Sequence, residues 1–137
     1  FIVPEAISQR PHFKERLEAQ KVAFFTEKID LSPEEAEKFW PVYNNYSSNK
    51  DNINRELRQL SIRLSNRIDS MSEDEVEASM KRYVTLKDKE HKLFIDYHDK
   101  FLAILSPSKV MKVYIAETQF KQYLLREIQM RQRRHRN

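Results

Sequence analysis

Glycine is missing from all 137 residues, and that one absence removes whole classes of fold and chemistry. Tight type I′ and II′ hairpin turns rely on glycine or asparagine at positive φ. Phosphate-cradling loops rely on glycine for close approach of the backbone. Neither a dinucleotide-binding nor a P-loop fingerprint can be written without it. With 34% charged and 39% apolar residues, and long stretches rich in Glu, Lys, Arg and Gln, the expected fold is all-α. The length suits one domain with a modest core.

Cysteine is absent as well, which excludes disulfide frameworks, thiolate zinc sites and cysteine nucleophiles. No run approaches the roughly 18 apolar residues of a membrane span. The opening FIVPEAI lacks the basic n-region and full h-region of a signal peptide, and a start at Phe1 rather than methionine suggests that an upstream segment has been removed. The net charge of +4 is uneven. Residues 121–137 hold six Lys/Arg against one acid, Glu127, so the body of the chain is close to neutral and its end is basic.

Apolar spacing predicts four helices, at about 11–29, 33–68, 73–104 and 107–132, within a single helical domain of about 11–132. An extended segment, 1–10, precedes it, and a basic tail, 133–137, follows, expected to fray as the apolar stripe fades after Ile128. In the second helix Phe39, Tyr43, Tyr46, Ile53, Leu57, Leu60, Leu64 and Ile68 stay within an arc of about 80° at 100° per residue. The third carries Val76, Tyr83, Leu86, Leu93, Phe94, Tyr97, Phe101 and Ile104. Connections of about three or four residues make consecutive helices double back. The expected architecture is therefore an antiparallel hairpin or cradle-like bundle of four helices, two or more of them long. Pro41, about two turns into the second helix, either marks a restart or bends it.

One device starts three of these helices. Ser32 takes the N-cap, Pro33 the first helical position, and Glu35 the third, where it closes a capping box with Ser32. Leu31 and Ala36 occupy the positions of a hydrophobic staple. Ser72 and Glu75 repeat the box, with Met71 and Val76 as the staple. Leu105, Ser106 and Pro107 repeat the cap and staple, but Lys109 replaces the acid that would close the box. Each cap contributes about 0.5–2 kcal/mol. The Leu-Ser-Pro doublet is first of all helix punctuation.

The segments RLEAQKVAFFTEKIDLSPEEAEKFWPVY and AILSPSKVMKVYIAETQFKQYLLREI resemble small helical envelope proteins of Bacteroidetes known as sensors of ECF-type sigma factors. More distantly the chain is similar to the Spy/CpxP group of periplasmic stress proteins, with their twice-repeated Leu-Thr-x-x-Gln motif. Leu31 and Leu105 match the motif's leucine, Ser32 and Ser106 stand for its threonine, and Glu35 and Lys109 for its glutamine. The resemblance implies a periplasmic, dimeric protein whose long helices form a curved cradle; the residues themselves point to a non-enzymatic protein that uses no cofactor. By that resemblance it would hold unfolded polypeptides without ATP, or report envelope stress to a signalling partner.

Other chemistry has fewer residues to stand on. Serines fall mainly at caps and polar surfaces, and no histidine sits in a nucleophile context. His91 and His98 are candidate metal ligands, but seven residues apart with Ile95 between them they are poorly spaced for one ion; the alternative is a pair of rim histidines. Arg126, Arg131, Arg133 and Arg134 could meet acidic clients or an anionic membrane surface, or serve only as a solvated end. Without aromatic interleaving they do not specify nucleic acid. Trp40, about 100° off the Phe39 stripe, is the aromatic best placed to meet a partner.

Overall fold

A computed structural model of the chain describes residues 12–136. The expected extended segment at 1–10 and the last tail residue lie outside the described residues. Four α-helices fill this span, with no strand among the described residues: α1 (Phe13–Ile29), α2 (Pro33–Arg67), α3 (Glu73–Leu102) and α4 (Pro107–Arg136). A 3-10 turn at Ile68–Ser70 joins α2 to α3. The fold is all-α with four helices, three of them long.

Two boundaries differ from the sequence expectation. First, α4 continues to Arg136 instead of fraying near 132. Arg and Gln are good helix formers, and Arg133, Arg134 and Arg136 in the last turn oppose the negative end of the helix dipole. Second, α2 neither stops nor restarts at Pro41 but runs through it. Pro41 and Glu37 are both exposed, so the Glu37 carbonyl that loses its amide donor can bond to water.

Without glycine, the sharp turn after α1 falls to Asp30, which takes the left-handed conformation at φ 59° and donates its N–H to the Thr26 carbonyl at 3.0 Å. Aspartate tolerates this region better than most residues because its short side chain can bond locally. His12 is the other non-glycine residue at positive φ among the described residues.

Packing divides the chain into two units. One is Trp40–Phe101, a hairpin made of α2 and α3. Leu57, Leu60 and Leu86 form an apolar cluster, with Ile53 and Leu64 packed against it. Further along the hairpin the filling is aromatic. Tyr43 stacks on Phe101 with ring centres 6.2 Å apart, while Tyr46 lies 5.3 Å from Tyr97 and edge-on to Phe101 at 5.8 Å. Partner numbers rise on α2 as they fall on α3, so the helices are antiparallel. An ion pair between Glu56 and Arg82 joins them at the surface.

The other unit holds the described residues up to Phe39 and those from Leu102 onward. Here α1 packs antiparallel on α4. Phe24 and Phe25 approach Phe120 at 5.5 and 6.3 Å, and Phe24 stacks on Tyr123 at 6.3 Å. Phe25, Ile29, Phe39 and Val113 are fully buried. Only Phe25 and Ile29 of α1 are completely covered; Phe13, Leu17 and Phe24 keep part of their surface in solvent.

Leu86 is the best-buried member of the hairpin's aliphatic cluster, at 1% exposure. Leu86→Ala is expected to cost about 2–5 kcal/mol, the usual range for emptying such a site. Urea unfolding with an unchanged slope and a lower midpoint would show it; a loss under about 1 kcal/mol would mean that the hairpin does not depend on this cluster.

Candidate functional site

The repeated Leu-Ser-Pro stretch is built as a joint. At the start of α2 the Ser32 hydroxyl accepts the Glu35 N–H at 3.1 Å, and the Ser32 N–H donates to the Glu35 carboxylate at 2.9 Å. At α3 the Ser72 hydroxyl accepts the Glu75 N–H at 3.3 Å. At α4 the Ser106 hydroxyl accepts the Lys109 N–H at 3.4 Å. The staple leucines Leu31 and Leu105 are buried, and Pro33 and Pro107 open their helices from exposed positions.

Lys109, which cannot close a box, has a different task. Its ammonium donates to the Glu35 carboxylate at 2.7 Å and to the Asp30 carbonyl at 2.9 Å. The first turn of α4 is thereby tied to the α1–α2 turn and to the capping box of α2. Only 28% of the Lys109 side chain and 25% of the Glu35 side chain remain exposed, so salt screens this pair less than a surface pair. The Lys109 hydrogen bond, followed by the Ser32 backbone donor, holds the Glu35 carboxyl below its ordinary range. Ser32, Ser106 and Glu35 thus cap their own helices, while Lys109 ties the start of α4 to the α1–α2 turn.

His91 and His98 lie elsewhere, on a flank of α3 beside its core stripe. At 100° per residue, Met80, Val84, His91, Phe94, Ile95 and His98 share an arc of about 100° over about 27 Å of helix. His98 stacks on the Phe94 ring at 6.1 Å, and His91 is exposed. Among the described residues no group of three or more His, Asp or Glu is gathered where it could hold a metal ion. Met80, Val84 and Ile95 keep 57%, 60% and 46% of their surface in solvent, which is far from a core stripe. Cations border the row: Lys81 and Lys92 pair with Glu77 and Asp88 one turn away, and Lys87 lies over the Tyr83 ring at 5.9 Å. The sequence carried the signal for this face, since residues 80, 84, 91, 95 and 98 keep helical spacing beside the core stripe. Tyr83 and Phe94, counted with the core by their spacing, are exposed instead.

Trp40 is half-buried and meets Tyr43 edge-on at 5.7 Å. Arg126, Arg131, Arg133 and Arg134 are exposed along the last turns of α4. Near them, α1 and α4 leave a groove of about 230 Å³. Phe13, Leu17, Leu124 and Ile128 form its more buried lining, with Arg16, Glu127, Arg131 and His135 among the polar residues. Only the packing of α1 against α4 brings these residues together, which sequence spacing within one helix does not reveal. No described helix is long and apolar enough to cross a membrane. No family model, curated protein or solved structure matches the chain.

The sign of the Glu35 shift fixes a pH dependence. The unfolded chain takes up its proton near 4.5, whereas folded Glu35 stays ionised to lower pH. The stabilisation is therefore complete above the ordinary value and lost as pH falls through the folded one. The melting temperature of wild type is expected to exceed that of Glu35→Gln by a constant margin from pH 7 to about 5.5, and the margin to shrink below about 4.5. A margin that holds unchanged down to pH 3 would contradict the assignment.

Proposed function

We propose that this protein is a non-enzymatic, ATP-independent binder of unfolded or partner polypeptides, working in the periplasm as its resemblance to the Spy/CpxP group implies. The observation that carries the reading is the row of Met80, Val84 and Ile95 on this flank of α3, about half exposed and bordered by lysines. Isolated apolar side chains on a surface are ordinary. Here Met80 and Val84 stand one turn apart and Phe94 and Ile95 follow about three turns on, with Lys87 and His91 between them, a mixed face suited to meeting another chain.

The energetics suit a weak and adaptable contact. Fully burying an aliphatic side chain stabilises by about 1.5–3 kcal/mol, so covering these half-exposed ones contributes about 1 kcal/mol each. No one residue dominates, which favours many sequences over one. Methionine adds flexibility at such a surface. The flanking Lys81 and Lys92 pair with Glu77 and Asp88, so the margin offers both signs of charge to a passing chain. Nothing in this scheme calls for a bond to be made or broken, or for a cofactor. In the same reading the chain acts as a homodimer, with unfolded chains or an envelope signalling protein as partners.

Suppressed aggregation of a reduced model client is the direct test. At equimolar protein to a few-fold excess, light scattering is expected to fall; the Met80→Ser/Val84→Ser/Ile95→Ser variant should lose most of that effect while melting at the wild-type temperature. Scattering that ignores the protein at about tenfold excess, or a triple variant as effective as wild type, would refute the reading.

A further inference from the structure

We propose that the groove between α1 and α4 is the seat for an acidic amphipathic segment of the bound polypeptide. The inference rests on the polypeptide-binding reading and adds a second surface with its own chemistry, in the other unit of the chain.

Three features specify the occupant. The apolar lining comes in two pairs at one-turn spacing, Phe13 with Leu17 on α1 and Leu124 with Ile128 on α4. Side chains four residues apart stand about 5–6 Å from each other along a helix, so this floor matches apolar side chains spaced one turn apart on an incoming helix. At about 230 Å³ the groove is also smaller than the roughly 300–1,000 Å³ of sites that enclose a cofactor or drug-sized ligand. It suits a few side chains of a longer molecule whose remainder stays outside.

Charge supplies the third feature. Arg16 on α1 and Arg131 on α4 both line the groove, and Glu127 is the one carboxylate in its lining. Arg133, Arg134 and Arg136 lie in the last turn of α4 outside the lining and add only long-range positive charge. Guanidinium groups grip carboxylates through paired N–H donors, so glutamates beside the ligand's apolar positions would be held at the groove's edges. A basic ligand with the same apolar pattern would be repelled.

Fluorescence anisotropy tests this on the full chain, with two labelled peptides of identical leucine spacing, one with glutamate and one with lysine between the leucines. The acidic peptide is expected to bind at least about tenfold tighter at low salt, with the gap closing as salt rises. Reversing both exposed arginines (Arg16→Glu with Arg131→Glu) should invert the preference while leaving the melting temperature unchanged. Ile128→Asp should weaken both peptides.

Equal affinities, or a preference that survives the reversal, would overturn the proposal. So would binding that emerges only when residues 1–11 are deleted, since the groove would then belong to the chain's own N-terminal residues. The proposal also fails if the reversal abolishes binding to phosphatidylglycerol vesicles but leaves the peptide affinity untouched. The aggregation assay separates the two ideas. Suppression by wild type together with reversal-insensitive peptide binding sinks the groove alone. Reversal-sensitive peptide binding without suppression keeps the groove and sinks the general client-binding reading.

Discussion

One ammonium group, that of Lys109, ties the start of α4 to a stretch more than seventy residues earlier in the sequence. It lies between the Glu35 carboxylate and the Asp30 carbonyl, so the start of α4, the start of α2 and the turn after α1 share a single donor. Helix starts leave amide donors unsatisfied, and in this chain the capping serines fill that need locally. Glu35 does both jobs at once, closing the box on Ser32 and receiving Lys109. The second Leu-Ser-Pro stretch lacks an acid in its own box because its lysine serves the first.

This arrangement determines where function can reside. Ser32, Glu35, Ser106 and Lys109 of the doublet bond to one another or to the neighbouring turn. The core of the hairpin is filled by leucines and tyrosines, and the α1–α4 pair by phenylalanines. Apolar side surface remains available, including the exposed residues on α3 and the groove between α1 and α4. Both are apolar surfaces with charge at their margins. Such surfaces hold other chains through many small contacts, and they require the rigid helices beneath them more than any reactive group.

Much of the architecture was legible from spacing. The alternation along α2 and the serine caps placed three helix starts to the residue, because capping is a local rule that needs no knowledge of tertiary contacts. The Leu86, Tyr97 and Phe101 positions followed from the α3 stripe for the same reason. Other features were hidden for physical causes. Pro41 could be read as a break, since its cost depends on whether Glu37 faces water. The reach of Lys109 to Glu35 spans 74 residues and exists only once α1 and α4 are packed. Tyr83 and Phe94 had core-like spacing, yet the hairpin covers only one side of α3, and periodicity cannot tell how wide the covered side will be.

The claim that Lys109 and Glu35 act as one structural unit is tested most directly by a double-mutant cycle in urea unfolding. Lys109→Met and Glu35→Gln are each expected to lower stability, and the double variant to lose clearly less than the two losses combined. Strict additivity would contradict the account, because it would mean that the two side chains stabilise the fold independently and that the doublet is free to serve another purpose.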